Sequence, residues 1–444
     1  MSDYMFLLEN HLSAAQSRVV AEVQQAAWDA NLSIFLTGGA MRDMLGGYPI
    51  RDIEFTVEGN AIKLAKTLAS KNGASIVSLD ESRKEAELLF PDKVFVRIGM
   101  ARQERYARPG AKPQVTPATI HEDLRGRDFT VNSIALSLAK ASRGLLLDPN
   151  NGDGDLKNKE LRAVSNYTLY NDPTRLLRLI RLRVRLGFTI DDRTRHQVEN
   201  VREAGLEAKI PVTALVDEFR RFADEPDPGE LLTALEQEKL LGLFSPALNG
   251  QKLNLPTFHK LHKAKQLIPF GAEFPIDHLA VFLYLITEKL TPKEKSGLIK
   301  HLGLEKAEVA LPQKMEAHSK KLERDLKSAK IHKASQLYAL LAKAPGEDIL
   351  FLFLRSEHRL VQDRIRNYLQ KYLPAAMEIT EKEVTAVTEA QPGSPKYIIA
   401  RDALIATRLD ARPKKVEPPP EEVPVVPSGP MGRRPPQITQ PVKV

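Results

Sequence analysis

The segment from Ile34 to Gly59, IFLTGGAMRDMLGGYPIRDIEFTVEG, leaves this chain few ways to fold. An apolar run of Ile34, Phe35 and Leu36 meets the pair Gly38 and Gly39, then a short helical stretch carrying Arg42 and Asp43. A second, alternating run follows, with carboxylates at Asp52 and Glu54. Residues two apart on a strand project from one face. The alternation therefore predicts Asp52 and Glu54 side by side, with Ile53 and Phe55 turned to a core. Neighbouring carboxylates in a partly buried place repel each other unless a cation joins them. Paired acids downstream of a glycine turn point to a magnesium site serving a nucleoside triphosphate. Gly38 and Gly39 would let backbone N–H groups approach phosphate at the start of the next helix. Taken singly, a Gly-Gly pair fits any turn and D-x-E any solvated strand face. Their order and spacing carry the reading.

Strand-like runs and helical runs alternate from about residue 32 to 148: SIFLT, DIEFTV, the helix NAIKLAKTLASKN, SIVSL, AELLF, KVFVRIGM, and a helix opened by Arg127 and Asp128. This predicts a small α/β domain around a mixed sheet, preceded over residues 1–31 by one amphipathic helix (Phe6, Leu7, Val19, Val20, Val23). Beyond Asp172 the period becomes helical, with Val212, Leu215, Val216, Phe219 and Phe222 on one face. An all-α region in two parts, 149–240 and 241–411, is expected. Residues 412–444 are Pro-rich and poor in aromatics, which predicts a disordered or polyproline-like tail. The 444 residues suit about two to four domains, and 42% apolar content suffices for their cores. The absence of cysteine removes disulfides and thiolate metal sites. No apolar run of roughly eighteen residues and no signal-peptide pattern is present, so the expected location is cytoplasmic, with no membrane partner. The net charge of +8 favours a polyanionic partner.

The glycine turn, Arg-Asp and strand acids resemble the pattern of the class II tRNA nucleotidyltransferase and poly(A) polymerase family, GG-x-V-R-D-x-L-L-G, four residues, then D-x-D. The resemblance continues in order. Tyr106 to Ala135 (YARPGAKPQVTPATIHEDLRGRDFTVNSIA) is similar to its Y-x-R-P-G and E-D-L-x-R-R-D-F-T-I-N-A segments. Asp148 to Val164 (DPNNGDGDLKNKELRAV) resembles D-P-x-G-G-x-x-D-L-x-x-x-x-I-R. Asp172 to Ile190 (DPTRLLRLIRLRVRLGFTI) resembles D-P-x-R-x-x-R-A-x-R-F-x-x-x-L-G-F. Residues 30 to 240 are covered. The resemblance implies a nucleotidyltransferase head at 32–148, a nucleobase-recognising neck at 149–240 and an RNA-binding body at 241–411.

Its implied activity is template-independent addition of C, A or both to tRNA 3′ ends, using ATP and CTP. Asp52 and Glu54 would hold two Mg²⁺ ions about 3.5–4 Å apart. Gly38 and Gly39 would cradle the triphosphate, and Arg42 would meet phosphate or simply Asp43. By resemblance, Arg127 and Asp128 contact ribose and phosphates, while Asp172 and Arg175, three apart on one helical face, present acceptors and donors to a base edge. Arg178 and Arg181 would continue that stripe toward phosphates or RNA. Four positions depart from the family pattern. Glu54 replaces an Asp, displacing a ligand by roughly 1 Å. Arg97 stands on the polar side of its strand where relatives carry an acid, and a guanidinium about 4 Å from a divalent ion repels it by about 8 kcal/mol at an effective dielectric of 20. Gly126 replaces the first Arg of R-R-D, and Asn171 an acid before Asp172. These departures leave open a second class of function, a relative that binds RNA without catalysis. A poly(A) polymerase is a third, although no R-R-F-R-like stretch is present. Two basic segments, His259 to Lys265 with an H-x-x-H spacing, and Lys320, Lys321, Arg324, Lys327, Lys330 and Lys333 on an expected helix, fit RNA phosphates or solvent. Oligomeric state is not encoded in any of these patterns.

Overall fold

A computed structural model of the chain describes residues 3–91 and 93–411. The expected tail, 412–444, lies outside the described residues. In place of one N-terminal helix there are two, α1 (Asp3–His11) and α2 (Ala14–Asp29). Ser13 divides them: its hydroxyl accepts from the Gln16 N–H, and the Gln16 side chain accepts from the Ser13 N–H. Such a reciprocal cap starts a new helix rather than continuing an old one.

The head is built from β1 (Ser33–Thr37), α3 (Gly39–Leu45), β2 (Ile53–Glu58), α4 (Ala61–Lys71), β3 (Ser75–Asp80), β4 (Glu85–Leu89) and β5 (Phe95–Met100). A hairpin of β6 (Arg102–Arg105) and β7 (Gln114–Pro117), the helix α5 (Ile120–Gly126) and the strands β8 (Ala135–Ser137) and β9 (Leu146–Leu147) complete it. Seven strands form one mixed sheet in the order β3-β4-β5-β2-β1-β8-β9. Only β2 and β5 run parallel; the other neighbours are antiparallel.

Alternation along β1, β2 and β5 sorts the side chains to two faces. Ile34, Leu36, Ile53, Phe55, Val57, Val96 and Ile98 are all buried in the main core, on the side where α2 and α4 pack. Each such side chain contributes about 1.5–3 kcal/mol by leaving water. Glu54, Thr56 and Arg97 occupy the opposite face, with Glu54 directly beside Arg97 in the β2–β5 register. On that face α5 sets Ile120 and Leu124 against Phe35 and Ala135, leaving the acids open on one side. One polar face thus stands free at a fixed place.

The chain then turns helical: α6 (Gly152–Asn158), α7 (Thr168–Asn171), α8 (Thr174–Leu186), α9 (Asp192–Glu203), α10 (Val212–Ala223), α11 (Pro228–Gln237), α12 (Leu255–Lys265) and α13 (His278–Thr287), with further helices to Pro395–Asp410. Leu176, Leu177, Leu179, Ile180 and Leu182 bury one side of α8, which ends where Gly187 enters the left-handed region at φ 65°. Phe219 meets Phe282 edge-on at 5.2 Å and Phe222 meets Phe244 at 5.4 Å, pairs worth about 0.5–1.5 kcal/mol each beyond area. The sheet's core continues without a break into these helices. Among the described residues no helix is long and apolar enough to cross a membrane.

Candidate functional site

Gly38 links β1 to α3 with φ 65° and ψ −131°, a conformation closed to side-chain-bearing residues. A Cβ there would lie 2.5 Å from Glu54 Oε2, so the glycine turn rests directly on the carboxylate of the neighbouring strand. Glu54 is the second residue of β2, whereas Asp52 lies just before the strand, exposed, in a bend. The expected pair on one strand is therefore one strand acid and one acid at the strand's mouth. Among the described residues Asp52 forms no ion pair.

Glu54 is already engaged. Arg127 Nη1 donates to Glu54 Oε1 at 3.1 Å, its Nη2 to Thr56 Oγ1 at 2.8 Å and its Nε to Asp123 Oδ2 at 3.0 Å. Burial works against ionising Glu54, yet Arg127, Arg97 and Arg178 together hold its carboxyl below the ordinary range. The helix expected to open at Arg127 and Asp128 instead closes there: α5 starts at a Thr119–Glu122 capping box and ends at Gly126. Arg127 is consequently free to reach back across the sheet. A Cβ on Gly126 would meet nothing within 4 Å, so the missing arginine costs no packing.

Asp128 accepts from the Phe129 N–H at 2.7 Å and from Asn132 Nδ2 at 3.2 Å, and pairs with Arg178. Burial opposes its charge, but Arg178 and then Arg175 hold the carboxyl below the usual range. Arg42, buried beneath α3, donates to Asp43 Oδ1 at 2.7 and 3.0 Å and to Asn132 Oδ1 at 2.9 Å. Those bonds tie α3 to the segment that follows α5.

Asp172 and Arg175 lie side by side, but Asp172 stands before α8 and not on it. Its Oδ1 accepts from the Thr174 N–H at 3.1 Å. Arg175 lies 3.6 Å from Asp172, 3.7 Å from Glu104, and donates to the carbonyls of Arg127 and Gly126 at 3.3 and 3.4 Å. Asn171 uses its own carbonyl to accept from the Gly110 N–H at 3.1 Å. Arg181 overturns the expected stripe. A helix turns about 100° per residue, which puts position 181 about 120° from 175. There Arg181 is buried, donating to Glu218 at 2.9 and 3.2 Å and to Glu225 at 3.2 Å.

Arg97 faces the polar side as expected, but two acids on β4 hold it: Glu85 at 3.0 Å and Glu87 at 2.8 Å. That pairing offsets most of the repulsion an unpaired guanidinium would exert. Glu85 and Glu87 alternate with buried Ala86 and Leu88, a signal in the sequence that was readable as a second acidic strand. Asp123 and Asn132 stand inside the E-D-L and F-T-I-N stretches of the quoted pattern without having been singled out; Glu104 had no such signal. Elsewhere, His262 Nδ1 lies 3.0 Å from the Pro226 carbonyl, tying α12 to the loop between α10 and α11. The long basic helix is shorter than expected: it spans Lys306–Leu326, so Lys330 and Lys333 fall beyond it, and Lys320 pairs with Glu316 at 3.0 Å.

Magnesium is usually held by one or two carboxylates plus substrate phosphates. Among the described residues no three His, Cys, Asp or Glu side chains gather as a metal cluster. The hard-oxygen side chains at this opening are Asp52 and Glu54, a donor set that would suit an ion carried in with a polyphosphate.

Residues 34–162 match the family described as the poly A polymerase head domain. The chain is 30% identical over 344 residues to an A-adding tRNA nucleotidyltransferase of Aquifex aeolicus, covering 77% of this chain and 40% of that protein. It is 33% identical over 221 residues to a CC-adding tRNA nucleotidyltransferase of Deinococcus radiodurans, covering 48% of this chain and 58% of that one. A solved tRNA-processing enzyme with CTP superposes with a TM-score of 0.53 at 25% identity, over 87% of this chain and 100% of the other. The chain spans about half the length of the curated relatives it matches.

Proposed function

We propose, for a chain that belongs to the class II tRNA nucleotidyltransferase and poly(A) polymerase family, that it adds C, A or both to the 3′ end of tRNA without a nucleic-acid template. The RNA 3′-oxygen attacks the α-phosphorus of CTP or ATP, a phosphodiester bond forms, the α–β bridge breaks, and pyrophosphate leaves with its charge. One observation carries this reading: the backbone of the glycine turn lies against the Glu54 carboxylate, while the Arg127 guanidinium closes on the same carboxylate from the other side. Phosphate-binding backbone, acid and cation thus meet at one opening.

Gly38 and Gly39 bring backbone N–H groups to the triphosphate. Arg127 and Arg178 supply cationic contacts to phosphate and ribose, each now held in place by an acid it can share. Asp128 orients Arg178, and Arg42 with Asp43 braces the turn. Asp172 and Arg175 offer an acceptor and a donor to the Watson–Crick edge of the incoming base. Asp52 and Glu54 would hold the magnesium, two ions in all. When bound, magnesium neutralises triphosphate charge and makes the 3′-hydroxyl easier to deprotonate.

The test is incubation with labelled CTP or ATP and tRNAs lacking CCA, or ending after its first or second C. Extension that disappears in Asp52→Ala supports transfer. The competing reading, an RNA-binding relative without catalysis, draws on the Glu54–Arg127 ion pair and on Arg97 at an acidic position. It is supported if tRNA binds tightly and no nucleotide is incorporated.

A further inference from the structure

Neither backbone strain nor close packing demands a glycine at positions 242 and 297. The helix α14 (Pro292–Leu302) carries Gly297 at its centre, where glycine weakens a helix relative to alanine. Gly242 lies in the one-turn 3₁₀ segment Leu241–Leu243. Neither has a positive φ, and a Cβ on either would meet nothing within 4 Å. Both line one open cleft of about 770 Å³, a size that suits a small organic group.

The walls of the cleft are the segment 242–252 and one face of α14, where Lys293, Gly297 and His301 recur at intervals of four. The walls are clasped at two points. Lys252 Nζ donates to Glu294 Oε1 at 2.5 Å, and His301 Nε2 donates to the Leu243 carbonyl at 2.9 Å. Gly297 falls between these clasps on α14, so the helix is held to the facing segment on either side of a bare stretch. Leu243 and Pro246 give the cleft an apolar side. Of its charged side chains, Lys252 and Glu294 satisfy each other, whereas Lys293 is exposed and forms no ion pair among the described residues. What fits is flat and singly charged. One free lysine, with a histidine on the same face, balances one phosphodiester, while a triphosphate would bring about three to four charges. Bare backbone lets a ring approach closely, and RNA is recognised chiefly through unpaired bases that can be splayed out.

We propose that this cleft takes one unpaired nucleotide of a bound RNA, its base between Gly242 and Gly297 and its phosphate on Lys293. Such a slot lies outside nucleotide addition itself and requires only the RNA binding that both readings above share.

Filter binding of CCA-lacking tRNA to the full chain, joined to ultraviolet cross-linking and peptide mapping, tests the slot. Wild type should cross-link within 242–252 or 291–301. Gly297→Leu, whose side chain enters the cleft, should lose that cross-link and bind tRNA about tenfold more weakly, since one base contact is worth about that factor. Its affinity for a blunt RNA duplex and for AMP should not change, and it should melt no lower than wild type. Lys293→Gln should weaken tRNA binding about two- to threefold and lower the slope of log Kd against log salt by about 0.7–0.9. Gly297→Leu should leave that slope alone. Gly297→Ala should melt about 1–2 °C higher than wild type; a lower melting point would show that the fold needs this glycine and overturns the slot. Equal tRNA binding by wild type and Gly297→Leu also overturns it, as does a loss that extends to the duplex. A loss confined to AMP does the same, by making the cleft a mononucleotide site. The slot and the transferase fail separately. A wild type that cross-links here yet incorporates no nucleotide sinks the transferase and leaves the slot, and incorporation without a cross-link at this cleft does the reverse.

Discussion

The neck and the opening of the head are made from the same two groups, guanidinium and carboxylate, and they use them differently. In the neck, Arg181 and its acids are shut away from water, with side-chain exposures of 5%, 7% and 3% for Arg181, Glu218 and Glu225. At the opening, Glu54 and Arg127 remain 28% and 17% exposed. Removing one member of a buried pair strands the other in a poor solvent; removing one member of a partly exposed pair lets water take part of its place. The neck network is scaffold, and the pairs at the opening are contacts that a substrate can exchange for its own.

The largest test of that contrast is Arg181→Ala, expected to lower unfolding free energy in urea by about 3–5 kcal/mol, against about 1–3 kcal/mol for Arg127→Ala, which leaves Asp123 without its partner. Similar losses for the two would erase the distinction. Asp52→Ala should do the opposite of Arg181→Ala: nucleotide incorporation falls at least about a hundredfold, while the urea midpoint stays where it was. If incorporation persists, the acid at the strand's mouth is not part of the chemistry. Gly38→Ala sits between the regions, because it strains a left-handed backbone and crowds Glu54. It should destabilise by about 1–3 kcal/mol and weaken nucleotide binding together with it; stability lost without any change in nucleotide affinity would divorce the turn from the site.

The smallest effect is in acid. Glu54, Asp128 and Glu218 all have depressed carboxyl pKa values. A depressed carboxyl contributes stability that is complete above its unfolded value, about 4, and fades as pH falls through the lower folded value. The contribution of these three carboxyls to the thermal midpoint should thus be flat from about pH 8 to 5 and fall away below about pH 4. Glu218→Gln should start lower and drop less steeply, whereas Glu54→Gln should barely alter the acid limb. The reverse ranking would mean that the opening, and not the neck, carries the acid-sensitive stability.

Much of the head was legible in the sequence, because alternation along Ile34 to Glu58 and Val94 to Met100 is a local property of the strands. The glycine turn was legible for the same reason. The helix expected to open at Arg127 and Asp128 closes there instead, although its start was written in Thr119 and Glu122, three residues apart; a seven-residue helix stops before its period can be read. Arg181 could not be read at all. Its partners lie 37 and 44 residues downstream, and only packing of α8 on α10 turns a basic stripe into a buried knot. Asp52 was read as a strand residue because pairing in the sheet starts one residue later, at Ile53, a boundary that side-chain pattern does not reveal.

The carboxylate of Glu54 lying against the α-carbon at position 38 ties two positions into one heritable unit. Shortening that acid by a methylene would relieve the contact, yet the left-handed backbone would still reserve position 38 for glycine, so the turn is guarded twice, once by its neighbour and once by its own dihedrals.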